Sequence, residues 1–248
     1  MRRVSVFAAT SILLFLSACA AEGPSAYVTF NLAVDSACKA TASTGAGTQF
    51  IPVGQFDIST GGVPKGSTKH TTECDTSYYM NLMVNSNLRP NAKAATGRAE
   101  PNILQIHSAE VHLMTLKRET IAFDRNKANV LPNPFLVTTA NTLQPASGTT
   151  PSIGVVSIEA IPRDYAHQLD KFASSQILAE VQVFGTTLGD VDVDFKSFVY
   201  PIQLCDGCLT RCLNKDIISN NLDVDTVYGN DCQDDAGQDG RVCIDTKC

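Results

Sequence analysis

The sequence predicts an all-β protein: an antiparallel β-sandwich of immunoglobulin-like or similar type, with one short helix and a disulfide-rich irregular C-terminal tail. Three observations predict it. Apolar and polar residues alternate with period two in eight or nine short segments. Clusters of Gly, Pro, Asn and Ser separate those segments, as they do between the strands of stacked sheets. At Cys205 the chain changes character, and six of its nine cysteines fall in the last 44 residues.

Taken in order, the first segment begins at Tyr27. Val28, Phe30, Leu32 and Val34 alternate with Thr29, Asn31 and Ala33, which predicts a half-buried strand. Ile51 to Ile58 is a weaker strand, interrupted by Pro52 and Gly54. Tyr78, Met80, Leu82 and Val84 share one face of a stronger one. Val111 and Leu113 oppose Glu110, His112 and Met114. Phe135 to Thr139, Ile153 to Ile161 and Ile177 to Phe184 continue the series, followed by Val191, Val193 and Phe195. A last strand aligns Phe198, Tyr200, Ile202 and Leu204. Between two of these, after Pro162, Asp164 is placed to cap a short helix across an open end of the sandwich. Its Tyr165, Leu169 and Phe172 lie at helical spacing.

Before the first strand, Arg2 and Arg3 precede thirteen mostly apolar residues, Val4 to Leu16, and the small residues that end at Cys19. That pattern predicts a secretory signal. Thirteen helical residues span about 20 Å, short of the ~30 Å hydrocarbon layer, so a spanning helix is not expected. Leu16-Ser17-Ala18-Cys19 resembles the lipobox of bacterial lipoproteins. The resemblance implies removal of residues 1–18, acylation of Cys19 (palmitate included) and attachment to a membrane through those chains. Ala20 and Ala21, with no Asp after the cysteine, are similar to lipoproteins sorted to the outer membrane of the cell envelope. Residues 19–26 then form the lipidated cysteine and its tether, whose last seven residues reach about 23 Å at most. Residues 27–204 form the sandwich and 205–248 the tail.

Charge narrows the choice of partner. Without Arg2 and Arg3 the chain has 17 basic and 25 acidic side chains, a net of −8, of which the tail holds −5. That sign excludes nucleic acid and electrostatic docking to anionic lipid. Once Cys19 is set aside, eight cysteines remain: Cys38, Cys74, Cys205, Cys208, Cys212, Cys232, Cys243 and Cys248. An even number in an oxidising compartment predicts up to four disulfides. Cys38–Cys74 is the most economical pair, worth about 3–4 kcal/mol by chain entropy. The tail has few apolar residues, so its disulfides stand in for a core. PIQLCDGCLTRCL, with the upstream ILAEVQVFGTTLGD, resembles Cys-rich lipoproteins of the myxobacterial kind over residues 153–248. That likeness brings no activity with it.

Several constellations carry chemistry on paper. Cys205-x-x-Cys208 has redox spacing, but only a short helix over Leu209–Ile218 could follow it, and neighbouring cysteines compete for both sulfurs. Zinc lacks a histidine in the tail, and Leu209 stands where haem attachment needs His. On a regular strand His107 points away from Glu110 and His112, so these three do not converge. Asp190, Asp192 and Asp194 alternate on one side of a strand, and Asp231, Asp234, Asp235 and Asp239 crowd a Gly-rich loop. These are weak calcium candidates, because hard carboxylate oxygens in flexible loops suit that ion but the EF-hand order is not present. No GxSxG, SxxK, HExxH or phosphate loop occurs. The expectation is a non-catalytic, membrane-anchored envelope protein that acts through protein contacts. A calcium- or ligand-binding module is the second reading, and a thiol–disulfide oxidoreductase at Cys205 and Cys208 the third.

Overall fold

Two stacked sheets account for the alternating segments. A computed structural model of the chain describes residues 24–35, 38–43, 45, 48–61, 77–91, 101–125, 129–212, 238–239 and 243–245. The first sheet contains β1 (Ala26–Leu32), β2 (Phe50–Ile51), β4 (Tyr78–Ser86), β9 (Ser152–Ile161) and β12 (Phe195–Lys196). Its order is β12-β1-β4-β9, with β2 also against β1. The second contains β3 (Gly54–Asp57), β5 (Leu104–Thr115), β8 (Phe135–Leu143), β10 (Gln176–Thr187), β11 (Asp192–Val193) and β13 (Phe198–Cys205). Its order is β3-β13-β10-β5-β8, with β11 against β10. Within these two sheets pairing is antiparallel except β1–β12 and β3–β13, which are parallel, as is the separate pair β14–β15. Small pairs are made by β6 (Phe123–Arg125) with β7 (Asn129–Leu131) and by β14 (Thr210–Cys212) with β15 (Cys243–Asp245).

The core lies between the sheets. Met80, Leu82 and Val84 of β4 and Val156 and Ile158 of β9 face Val111 and Leu113 of β5, Ile177 to Val183 on alternate positions of β10, and Ile202 and Leu204 of β13, all buried. β10 keeps strict alternation along its whole length, as its sequence predicts. At one side the edge strands β8 and β9 are joined through side chains. Thr139 Oγ1 donates to the Ser157 carbonyl at 2.8 Å, and Asn141 Nδ2 donates to that of Val155. These bonds occupy carbonyls that an edge strand otherwise offers to another chain.

Four expectations are corrected. β1 has a register shift between Val28 and Phe30, so Phe30 turns outward and Asn31 inward. The extra residue reverses which face each later side chain takes. β5 has a similar irregularity around His107, where Ser108 and Ala109 are both buried. His107 therefore faces outward with Glu110 and His112 instead of opposite to them. The 51–58 strand is two strands, with Pro52 and Val53 at the point where the chain leaves one sheet for the other. The 191–195 strand is likewise two, β11 in the second sheet and β12 in the first.

The helix is shorter than its spacing suggests. α1 (Arg163–Ala166) spans four residues and is followed by a 3-10 turn at Asp170–Phe172. Pro162 occupies the cap position, with no side-chain cap bond, and Asp164 lies inside the first turn. Tyr165 and Leu169 are buried as expected, Tyr165 packed against Phe123 and Phe135 with its hydroxyl donating to the Pro132 carbonyl. After the cysteine pair, residues 210–212 form β14 rather than the start of a helix. No helix among the described residues is long and apolar enough to cross a membrane.

Strand direction gives the sandwich two unlike ends. β1 starts at Ala26 beside Phe195, near the far end of β10, where the turn through Leu188 and Val191 also lies. β13 finishes at Cys205 next to the first residues of β10. Twelve-residue β10 separates the two ends by about 36 Å at ~3.3 Å per residue. Ala26, where β1 begins, thus lies at the end opposite Cys205.

Candidate functional site

Chemically versatile groups gather at the Cys205 end. β3 lies between β13 on one side and residues 238–239 on the other. Gly54, Gln55, Phe56 and Asp57 pair in parallel with Ile202 to Cys205. Phe56 pairs with Gln238, the Asp239 amide donates to the Gln55 carbonyl at 2.6 Å, and the Gln55 amide donates to Asp239 Oδ1 at 2.9 Å. Gln238 is fully buried, and its Oε1 accepts from the Tyr79 amide at 2.7 Å. The tail is therefore fastened to both sheets at these two residues.

Asp57, at the end of β3, is fully buried. Its Oδ1 accepts from the Ser59 amide at 3.0 Å, Ser59 Oγ at 2.7 Å and the Gly207 amide at 2.8 Å. Its Oδ2 accepts from the Leu209 amide at 2.7 Å. Four donors, three on Oδ1 and one on Oδ2, satisfy this carboxylate, which is how a buried acid is tolerated. One side chain thus fixes both the exit from β3 and the turn through the cysteines. Gly207 has φ +73° with open space where a Cβ would stand, so backbone conformation rather than crowding calls for glycine there.

Cys205 and Cys208 are disulfide-bonded to each other, with a Cα–Cα distance of 5.9 Å. Competition from neighbouring cysteines, expected from the sequence, is not the arrangement found. Cys205 is half-buried and Cys208 exposed. Gln55 Nε2 donates to Cys208 Sγ at 3.5 Å, and Cys205 Sγ lies 3.6 Å from the Phe56 carbonyl oxygen. An Asp57 oxygen and both sulfurs lie within 4.8 Å of one another. Bonded together, the sulfurs offer no thiolate to a metal.

Behind the disulfide a second polar group crosses the core. Tyr78 of β4 donates its hydroxyl to Asp239, 2.8 Å from Oδ1 and 3.0 Å from Oδ2. Burial first, and the Asp239 carboxylate second, push the Tyr78 hydroxyl well above the usual tyrosine range. Tyr200 of β13 donates to the Ile51 carbonyl at 3.0 Å and accepts from Asn31 Nδ2 at 3.1 Å. Its hydroxyl is pushed up to about 12, mainly by burial. Asn31 is available for this only because the β1 irregularity turns it inward; its Oδ1 accepts from the Asn81 amide at 2.8 Å. Gly54 makes room for the network. A Cβ there would stand 2.2 Å from the Tyr78 hydroxyl.

The other candidates are placed as follows. Cys38 is exposed and disulfide-bonded; Cys74, its expected partner, lies outside the described residues. Cys19, Cys232, Cys248, Asp231, Asp234 and Asp235 also lie outside them, and Cys212 and Cys243 are placed only as paired residues of β14 and β15. Asp190, Asp192 and Asp194 are exposed; Asp190 occupies a left-handed turn position at φ 59° before β11. Their carboxylates do not gather within 4.8 Å as a set, nor do His107, Glu110 and His112. His107 Nδ1 instead bonds Ser108 Oγ at 2.8 Å, and His112 Nε2 bonds Thr120 Oγ1 at 2.9 Å.

Sequence reasoning found the cysteine pair and named Asp239 only as one of an acidic cluster. It missed Asp57, Gln55, Gln238 and Tyr78, whose roles depend on pairing between strands far apart in the chain. Fold and corner together define an all-β sandwich with a carboxylate-held Cys-x-x-Cys disulfide at one end. No protein-family model matches the chain, and comparison with curated proteins and with solved structures found no match.

Proposed function

We propose that the protein is a lipid-anchored, non-catalytic module of the bacterial cell envelope that works by binding another envelope protein. The lipobox Leu16-Ser17-Ala18-Cys19 supports the anchor, and Ala20 and Ala21 support the outer membrane as its site. The observation that carries the binding role is an aromatic pair on the outer face of the first sheet. Phe30 and Phe50 stack with ring centroids 5.0 Å apart while 39% and 54% exposed. Such rings add large contact area at little cost in conformational entropy, which favours them at protein interfaces. On the inward side of β1, Asn31 is occupied by the Tyr200 hydroxyl and the Asn81 amide, which leaves the outer aromatic face as the surface open to a partner.

A photo-crosslinking residue at position 50, activated in intact cells, tests the reading. One specific envelope protein captured from wild type and lost in Phe30→Ser is the expected outcome. Capture of no specific protein overturns the binding role, and a protein that remains soluble after export overturns the anchor.

A further inference from the structure

We propose that Cys205–Cys208 is an exchangeable disulfide whose partner is a protein dithiol outside the cytoplasm. A cross-link between residues three apart closes a very short ring and removes less chain entropy than any long-range bond. The turn it spans is already held by Asp57, which accepts from the amides of both Gly207 and Leu209. The bond therefore adds little that the fold lacks, and opening it leaves the turn's acceptor in place. Cys208 is exposed while Cys205 is half-buried, so one sulfur is open to attack and the other is placed to leave. No helix follows the pair, since β14 begins at Thr210. Reactivity rests instead on exposure and on two polar neighbours, the Gln55 amide at Cys208 and the Phe56 carbonyl at Cys205. The site also sits at the end of the sandwich opposite Ala26.

The exchange balances as follows. A thiolate of the partner attacks Cys208 Sγ, forming a mixed disulfide and breaking the Cys205–Cys208 bond. The electron pair stays on Cys205, which takes a proton from water, and the resulting thiol donates a hydrogen bond to the Phe56 carbonyl. The partner's second thiolate then attacks the partner's own sulfur in the mixed disulfide. This closes the partner's disulfide and releases Cys208 as a thiolate beside Gln55 Nε2. Two electrons pass from the partner dithiol to the cysteine pair, and a partner disulfide runs the sequence in reverse. The activity is separate from anchoring and from the contact face at Phe50, so each can fail without the other.

The test uses the full mature protein in a graded series of reduced and oxidised dithiothreitol, quenched by acid and alkylated. The tryptic peptide of residues 197–211 contains Cys205 and Cys208 and no other cysteine, so its mass reports the pair alone. Conversion to the dithiol in buffers that leave Cys38 disulfide-bonded and the circular dichroism unchanged is expected. A pair that stays closed until the protein unfolds, or cysteines found bonded elsewhere, overturns the proposal. As a second measurement, Cys205→Ser should form a mixed disulfide with oxidised glutathione at least ten-fold faster than Cys208→Ser. Equal or reversed rates overturn the assignment of Cys208 as the attacked sulfur.

Discussion

The two ends of the sandwich use carboxylates in opposite ways. Near the start of β1, Asp190, Asp192 and Asp194 stand exposed around a turn whose Leu188 and Val191 also face solvent. That turn is held by its backbone: the Asp190 amide donates to the Thr187 carbonyl at 2.9 Å and the Thr187 amide to that of Val191 at 2.9 Å. At the other end, Asp57 and Asp239 are drawn into the protein and serve as acceptors for segments that no strand ladder satisfies. The same residue type is dispensable in one place and organising in the other, and the difference is how many backbone donors it serves.

Substitution should expose that contrast. Asp57→Ala leaves the amides of Gly207 and buried Leu209 without this acceptor, and urea unfolding should show a loss of about 3 kcal/mol. Gly54→Ala drives a Cβ into the Tyr78 hydroxyl and parts it from Asp239. Overpacking of this kind costs about 1–3 kcal/mol, and faster proteolysis of the tail should accompany it.

Alkaline titration sharpens the picture from the core side. Tyr78 and Tyr200 hold their protons more tightly folded than unfolded. The stability this provides is complete below pH ~10 and is lost as pH rises, through about 12 for Tyr200. The unfolding free energy should therefore fall between pH 10 and 12, by up to ~1.4 kcal/mol per pH unit per tyrosine. Tyr200→Phe should flatten that slope; an unchanged slope would exclude Tyr200 as its source. At the other end, Asp192→Ala should alter urea unfolding by no more than about 0.5 kcal/mol, as surface changes usually do.

Much of the fold was legible in the sequence because half-buried strands impose a period of two. β10 and β13 follow it throughout and β4 over its first half, and these strands and β9 lie within a few residues of their expected bounds. Where the reading failed, one extra residue was responsible. The irregularities near Thr29 and His107 reverse the faces beyond them, and nothing in VTFNL or IHSAE announces the insertion. One clue was present: Gly185 sits opposite the second of these, where a Cβ would come within 2.7 Å of the Gln105 carbonyl oxygen. The site was half legible. Cys205-x-x-Cys208 is a local signal, whereas Asp57 reaches Gly207 across 150 residues through the parallel pairing of β3 with β13. A buried aspartate at the end of a weak, interrupted strand has no local signature.

Amide hydrogen exchange at Gly207 and Leu209, followed by NMR with the cysteine pair oxidised and then reduced, tests most directly whether Asp57 rather than the disulfide holds this turn. Both amides should remain protected in both states. Protection present in the oxidised protein and gone in the reduced one would show that the disulfide, and not the carboxylate, keeps the turn in place.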